Sequence, residues 1–335
     1  MTIMPRTKIN VAVLYGGQSR EREISVLSGH EVTKALSRNK YNISSIEISK
    51  GGDWLLKGRR ERNINVFDKG NTGLKRFDVI FIALHGAFGE DGTVQAILNA
   101  VGAAYTGSGL LASALGFDKA KSRELISGKN IATPRFILLT KPPKHTSTME
   151  YLKKVGGFPC VIKPNRSGSS IGISVVRKKN ELVPALKKAF HEDNQILIEE
   201  FIQGIELTCG VLGNSTQTKL NALPPVEIIS REHFFNYHAK YFSKSTQEIC
   251  PAPIGKKMTA VIQNAAKTAH RTLGCDGLTR SDFILKNKNL YFLEINTLPG
   301  LTKNSLCPKE AAAIEITFSE FLDRQIELAL LKQKK

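Results

Sequence analysis

Apolar and polar positions along residues 9–118 follow a pattern that predicts strands and helices in turn. Buried strands are predicted at 9–15, 43–48 and 79–84, and amphipathic helices at 24–36 and 93–101. Glycine turns follow the first strand at Gly16-Gly17 and the third at Gly86. This βαβ order predicts a parallel sheet whose ligand-binding groups collect at the carboxyl ends of its strands. The polar stretch 50–75 is predicted to form a hairpin or a long loop.

From residue 119 the pattern changes to short strands separated by turns, which indicates an α+β unit. We predict strands at 135–139, 159–163, 171–176 and 196–200, with one helix at 182–190. A third segment adds a helix at 257–273, a strand pair at 281–285 and 290–295, and a closing helix at 309–331. A chain of 335 residues usually divides into more than one core. From the length we expect two or three domains, and the changes of pattern divide the chain into three, 1–118 of α/β class, and 119–206 and 207–335 of α+β class.

Composition and cysteine usage favour an ordinary soluble globular protein. The chain is 41% hydrophobic and 23% charged, and its longest apolar runs are far shorter than a membrane-spanning helix of ~20 residues. The first ten residues lack the apolar core of a secretory signal. Five dispersed cysteines without a CxxC pair indicate buried free thiols in a reducing compartment. These observations predict a cytoplasmic protein with no membrane partner.

The net charge of +18 is concentrated in one part of the chain. Residues 119–190 hold sixteen basic and three acidic residues, which accounts for +13 of the total. A solvated basic face, a nucleic acid or a nucleoside triphosphate could each explain such a segment. Few aromatic side chains are available there to stack on bases, namely Phe136, Tyr151, Phe158 and Phe190. We therefore predict no specific nucleic-acid partner.

If this segment serves a triphosphate, an oligonucleotide should bind only weakly and with a steep dependence on salt. The expected dissociation constant is in the non-specific range of roughly 10⁻⁴ to 10⁻⁶ M at physiological salt. Titration of labelled single-stranded and duplex oligonucleotides at two salt concentrations measures it. A tight complex that depends on base sequence would contradict the prediction.

The middle of the chain carries a candidate phosphate-binding site. Lys163 lies in an apolar strand, where a buried ammonium requires an anionic partner such as a phosphate, although an exposed lysine on an edge strand is an alternative. Residues 168–172 form a glycine-rich loop between two strands, which is typical of a flap that covers phosphates. The P-loop motif GxxxxGK[ST] is absent from the sequence. Gly168-x-Ser170-x-Gly172 imitates a hydrolase nucleophile elbow, but that motif requires a helix after the turn.

The strand pair near the carboxyl terminus carries a candidate metal site. Alternation places Asp282 with Arg280 on one face of the first strand, and Glu294 with Asn296 on one face of the second. Two carboxylates and an amide oxygen are the hard ligands that Mg²⁺ uses beside substrate phosphates, whereas an ion pair with the arginine is the structural alternative. Pro299-Gly300 then forms a turn that can direct backbone N–H groups into the same site.

Several of these motifs occur together, and in the same order, in one known family. They are residues 16–25 (GGQSREREIS), 85–92 (HGAFGEDG), 105–109 (YTGSG), Asp118-Lys119, Lys163-Pro164, 168–172 (GSSIG), Glu199-Glu200, 237–241 (YHAKY), 280–282 (RSD) and 294–300 (EINTLPG). With this ordered set, which extends over nearly the whole chain, the protein resembles the D-alanine:D-alanine ligases of the ATP-grasp superfamily.

The resemblance implies a three-domain ATP-grasp ligase that holds ATP between its second and third domains. It implies the reaction of two D-alanine molecules with ATP to give D-alanyl-D-alanine, ADP and phosphate for peptidoglycan, through a D-alanyl phosphate. It also implies two Mg²⁺ ions per site, with Mn²⁺ as a substitute, a homodimer and a cytoplasmic location.

The resemblance further implies roles for individual residues in ATP and metal binding. ATP is expected to contact Lys119, Lys163 and Lys240 at its phosphates, Ser170 in the flap, Glu199 and Glu200 on the adenine side, and Glu206 at the ribose. The metal ions are expected to bind Asp282, Glu294 and Asn296.

The amino-acid substrates have their own expected set. Glu21 binds the first ammonium, and Arg280 with the Gly300 N–H stabilises the carboxylate and the developing oxyanion. The remaining expected contacts are His85 on the substrate, Ser305 and Leu306 on the second carboxylate, and Ser169 and Tyr241, which hydrogen-bond with Glu21 and close a lid.

The sequence departs from the family pattern in two places and leaves two alternatives. Asn304 stands where some members have a histidine, which affects the second substrate site, and the pI of about 9.7 is unusually basic. One alternative is another ATP-grasp ligase of a carboxylate and an amine, including variants that accept D-lactate or D-serine. A basic nucleic-acid-binding protein is the alternative from a different class.

Overall fold

Three β-sheets with flanking helices form the fold in a computed structural model that describes residues 8–68, 73–143, 145–169, 171–230 and 246–333. The first sheet has the strand order β4-β3-β2-β1-β5. Its strands β1 and β2 are parallel, as are β1 and β5, whereas β3 and β4 extend it as an antiparallel hairpin. Both the predicted parallel sheet and the predicted hairpin are confirmed. The elements are β1 (Ile9–Gly16), α1 (Arg22–Ala35), β2 (Tyr41–Ile48), β3 (Trp54–Lys57), β4 (Arg62–Asn63), β5 (Val79–Ile82) and α2 (Thr93–Ala100).

Two short helices lead to a second sheet, which is antiparallel and has the order β6-β9-β7-β8. Lys163 lies on β7, which has a neighbouring strand on each side, and the residue is only 6% exposed. The alternative of an exposed lysine on an edge strand is therefore wrong. The elements are α3 (Leu110–Phe117), α4 (Lys119–Ser127), β6 (Phe136–Leu139), α5 (His145–Val155), β7 (Cys160–Pro164), β8 (Ser174–Val176), α6 (Leu182–Glu192) and β9 (Ile196–Glu200).

A third, antiparallel sheet has the order β13-β12-β10-β14-β15, and β11 pairs with β10. Helix α7 packs its buried alanine face against this sheet. The elements are β10 (Ile205–Leu212), β11 (Asn221–Ala222), β12 (Val226–Ser230), β13 (Thr246–Ile249), α7 (Gly255–Thr272), β14 (Leu278–Lys286), β15 (Asn289–Asn296), α8 (Leu306–Ala312) and α9 (Phe318–Gln333).

The prediction of a single closing helix at 309–331 is wrong, because the structure has two helices there. Glu315 has a φ of +62°, a left-handed conformation that ends α8. Thr317 and Glu320 then form a capping box, in which each side chain bonds the backbone N–H of the other residue. One helix therefore ends and another begins within a few residues.

The buried core joins the first sheet to the end of the chain. Val11 and Val13 of β1 belong to one apolar cluster with Phe321, Leu322 and Ile326 of α9. Of the five free cysteines, Cys250 is half-buried and the other four are buried, as predicted for thiols that form no disulfide. None of the described helices combines the length and the apolarity that a bilayer crossing needs. The three sheets together surround the cavities described next.

Candidate active site

Two cavities meet where the three sheets come together, and they have volumes of about 340 and 780 Å³. Every predicted site residue that the structure describes lines one or both of them. The smaller cavity is lined by Glu21, His85, Lys119, Ser169, Arg280, Glu294, Asn296, Gly300, Ser305 and Leu306. The larger is lined by Lys163, Ser169, Glu199, Glu200, Glu206, Arg280, Asp282, Glu294 and Leu306. The predicted residues Ser170, Lys240 and Tyr241, with Tyr237, lie outside the described residues.

The strand pair β14–β15 brings the acidic residues together as its alternation predicted. Asp282 is directly opposite Glu294, and the ladder shifts register at a bulge immediately after Asp282. Arg280 donates two hydrogen bonds to Asp282, at 2.9 and 2.8 Å, and the Thr208 hydroxyl donates a third at 2.6 Å. Burial opposes the charge of Arg280, but the Asp282 carboxylate outweighs it and raises the pKa of the guanidinium. Arg280 therefore stays a cation at the junction of the two cavities.

The donor set at this edge fits a hard divalent cation. Asp282 and Glu294 supply carboxylates, and Asn296 follows on the same face of β15 with an amide oxygen that accepts from the Leu298 N–H at 2.9 Å. Within the described ranges no cluster of three or more His, Cys, Asp or Glu side chains could hold a metal. Because Mg²⁺ prefers six oxygen ligands, phosphate oxygens and water would have to complete its coordination.

Two buried lysines face the cavities, and each has a carboxylate partner. Lys119, the first residue of α4, donates to the Ser167 carbonyl at 2.6 Å and lies 3.3 Å from a Glu294 oxygen. Lys163 lies 3.0 Å from Glu199 Oε1. Burial, assisted by the charge of Arg123, lowers the pKa of Lys163 to about 8. The anionic partner that the sequence required for Lys163 is thus Glu199 in this structure.

Arg123 bonds two residues that line the larger cavity, Glu199 and Leu293, and sequence reasoning missed it. It is fully buried on α4, donates a short hydrogen bond to Glu199 Oε2, and donates to the Leu293 carbonyl at 2.8 Å. Arg123 follows Lys119 by four residues, a spacing that places both on one face of a helix. That spacing is the signal by which it could have been found.

The glycine-rich loop of the second unit closes onto Glu21 of the first. The Ser169 hydroxyl donates a short hydrogen bond to Glu21 Oε1, across 148 positions of sequence. A Cβ at Gly168 would lie 2.6 Å from Glu21 Oε2, and a Cβ at Gly86 would approach the same oxygen as closely. A side chain at either position would have to displace the Glu21 carboxylate.

His85 ties the first sheet to the turn after β15. Its Nδ1 lies 3.1 Å from the Leu298 carbonyl, and its Nε2 lies 2.9 Å from the Ser28 hydroxyl. Because a carbonyl only accepts, Nδ1 carries a proton. Through these two contacts His85 holds the cavity wall together.

The wall beyond Arg280 is a tight turn that leads into α8. Ser305 directly precedes α8, and its hydroxyl accepts from the Thr302 N–H at 3.1 Å. A Cβ at Gly300 would lie 2.8 Å from the Ser305 oxygen.

In the larger cavity, burial with a contribution from Asp282 raises the pKa of Glu206 to about 7.

Two protein-family models together match most of the chain. Residues 10–108 match the model of the D-ala D-ala ligase N-terminus, and residues 125–327 match that of the D-ala D-ala ligase C-terminus. The chain is 39% identical over 331 residues to the D-alanine–D-alanine ligase of Syntrophobacter fumaroxidans, covering 98% of this chain and 99% of the relative. It is 40% identical over 321 residues to that of Nitrosomonas eutropha, covering 95% and 96%.

Solved structures of similar proteins share the architecture. The VanG D-Ala:D-Ser ligase from Enterococcus faecalis has a TM-score of 0.86 at 32% identity, covering 96% of this chain and 100% of that one. A D-alanine–D-alanine ligase from Bacillus anthracis complexed with ATP has a TM-score of 0.77 at 31% identity, covering 97% and 99%. The protein therefore belongs to the D-alanine–D-alanine ligase family and has its ATP-grasp fold.

Proposed function

We propose that the protein joins two D-alanine molecules into D-alanyl-D-alanine for peptidoglycan, with conversion of ATP to ADP and phosphate. One observation carries the proposal. The carboxylate of Glu21 and the guanidinium of Arg280 line the same small cavity, next to the acidic edge of β14 and β15. A free amino acid is a zwitterion, so a cavity that offers one anion and one cation suits it.

The first step activates one carboxylate. Glu21 holds the ammonium of the donor D-alanine, and Arg280 directs its carboxylate toward ATP. A carboxylate oxygen attacks the γ-phosphorus, the bond to the β-phosphate oxygen breaks, and ADP leaves. Lys119 and Lys163, with Lys240, balance the charge that develops on the phosphoryl oxygens. The product of this step is D-alanyl phosphate.

Asp282, Glu294 and Asn296 are the residues that would hold two Mg²⁺ ions, or Mn²⁺ in their place. Bound there, the cations supply shielding of the phosphate charge and orientation of the γ-phosphoryl group. Lys119 lies 3.3 Å from Glu294, which keeps an ammonium at the same edge of the sheet.

The second step forms the peptide bond. Ser305 and the Leu306 N–H hold the carboxylate of the acceptor D-alanine, and His85 keeps the cavity wall in place. The neutral amine of the acceptor attacks the acyl carbon, and the Gly300 N–H and Arg280 stabilise the oxyanion. The bond between the acyl carbon and the phosphate oxygen then breaks, and phosphate leaves with the proton that the amine nitrogen gives up. Ser169, hydrogen-bonded to Glu21, closes the flap together with Tyr241 of the lid.

The larger cavity suits the nucleoside part of ATP. Glu199 and Glu200, which line it, are the candidates for the adenine, and Glu206 is the candidate for the ribose hydroxyls. Ser170, which lies outside the described residues, is proposed to contact the phosphates. We propose a homodimer in the cytoplasm and the division into domains at 118 and 206. Strand β10 begins at Ile205, close to the second of these boundaries.

An assay of ADP release tests this function directly. With D-alanine and Mg²⁺ the protein should release ADP and form D-alanyl-D-alanine, whereas L-alanine should support no more than a few per cent of that rate. D-serine and D-lactate, each offered with D-alanine, are the acceptor controls. ADP release that is equal with both alanine enantiomers would contradict the proposal.

A further inference from the structure

The Arg123 side chain lies between the second and third sheets and is fully buried. Its Nη1 bonds Glu199 on β9, and its Nε donates to the Leu293 carbonyl on β15 at 2.8 Å. The guanidinium carbon lies 5.9 Å from the centre of the Phe136 ring on β6. One side chain from α4 therefore contacts strands of two different sheets.

Both hydrogen-bond acceptors of Arg123 adjoin groups that face the cavities. The second oxygen of Glu199 contacts the Lys163 ammonium at 3.0 Å. Leu293 directly precedes Glu294, which lies opposite Asp282 in the ladder. The Nη2 of Arg123 is buried and has no hydrogen-bond partner among the described residues, so one donor group of the guanidinium is left unsatisfied. The guanidinium is thus positioned to bond Glu199 and β15 simultaneously.

We propose that Arg123 is a positioning residue for nucleotide binding, which fixes the Glu199–Lys163 pair and the Glu294 strand relative to each other. The inference rests on the proposed ATP site. Arg123 acts on ATP through these neighbours. Its planar guanidinium can donate to both acceptors simultaneously, whereas a lysine ammonium at the end of a flexible chain has no such fixed fork.

The electrostatics of Lys163 provide a readout that a purely structural role would not change. The charged groups that act on Lys163 are Glu199, Glu294, Arg123 and Lys119. Burial and the charge of Arg123 lower its pKa to about 8, although the two glutamates act in the opposite direction. Removing the positive charge at position 123 should therefore raise the pKa of Lys163. The kcat/KM for ATP, which reports on the free protein, should then be retained to higher pH.

The experiment compares Arg123→Lys and Arg123→Gln with the unaltered protein, and Lys121→Met is the matched control. Lys121 is on the same helix, but its side chain is exposed and pairs with Glu124. ATP affinity is measured by calorimetric titration, and kcat/KM for ATP is measured from pH 6.5 to 9.5. The KM for D-alanine is measured in parallel, because general damage to the site would raise it too.

The expected results are graded. Arg123→Lys should bind ATP about fivefold more weakly, and Arg123→Gln roughly thirtyfold or more, since the latter leaves a buried carboxylate with one cation fewer. The KM for D-alanine should change by less than about threefold in either variant. The alkaline midpoint of kcat/KM for ATP, near pH 8 in the unaltered protein, should move upward in Arg123→Gln only. Lys121→Met should behave as the unaltered protein.

ATP affinity in Arg123→Lys equal to that of the unaltered protein would overturn the inference, and this variant decides alone if Arg123→Gln does not fold. An unmoved alkaline midpoint in a folded Arg123→Gln would overturn it as well. If the unaltered protein itself failed to bind ATP, the proposed function would be wrong instead, so the two failures are distinguishable.

Discussion

Replacing Glu294 by glutamine is expected to lower turnover about a hundredfold or more and to leave the fold intact. Glu294 lies opposite Asp282 at the proposed metal site and is partly exposed to the cavity, so the amide fits without repacking. The change replaces a charged ligand by a neutral oxygen and removes the partner of Lys119. The rate of ADP release at several Mg²⁺ concentrations measures the effect, and a thermal melt checks the fold.

Glu124→Gln is the control for this substitution, because Glu124 is exposed on α4 and pairs with Lys121. It should keep the activity of the unaltered protein. Near-normal turnover of Glu294→Gln at ordinary Mg²⁺ would show that Glu294 does not bind the metal. A partial recovery at high Mg²⁺ or Mn²⁺ would support the assignment.

Replacing Lys163 by methionine should reduce kcat/KM for ATP by about a hundredfold or more, since it removes one buried cation from the phosphate site. The same group predicts a pH dependence. The pKa of Lys163 is lowered to about 8, so the ammonium is present below that pH and is lost as the pH rises through it. In the unaltered protein kcat/KM for ATP should therefore fall above pH 8.

Lys154, which is exposed on α5, provides the matched control Lys154→Met, with no expected change. If Lys163→Met retained the ATP affinity of the unaltered protein, Lys163 would have no contact with the phosphates. An alkaline limb that stayed in place in this variant would assign the titration to another group.

The acidic edge of the site could be predicted from the sequence because its geometry is local. In two adjacent antiparallel strands, alternation alone determines which side chains share a face. Asp282 and Glu294 are joined by a short hairpin, so their pairing needed no information from distant parts of the chain. The parallel first sheet was predictable for a related reason, since its strands β1 and β5 are largely continuous buried runs.

The partners of the buried cations could not be predicted in the same way. Lys163 meets Glu199 because β7 pairs with β9, a register that the intervening residues do not specify. Helices α3 and α4 were also missed, because both are short and carry apolar residues on more than one face. Without α4 as a helix, the relation between Lys119 and Arg123 could not be seen.

The central claim is that the protein activates a carboxylate of D-alanine by phosphorylation before it forms the peptide bond. D-alanine labelled with oxygen-18 in both carboxylate positions, incubated with ATP, Mg²⁺ and the protein, tests this claim most directly. In the proposed reaction one labelled oxygen leaves with the phosphoryl group, because the acyl carbon–oxygen bond breaks when the amine attacks. Mass spectrometry should find one oxygen-18 atom in each phosphate released and D-alanyl-D-alanine in equal amount. Release of unlabelled phosphate, which would come from hydrolysis of ATP by water, would contradict the account.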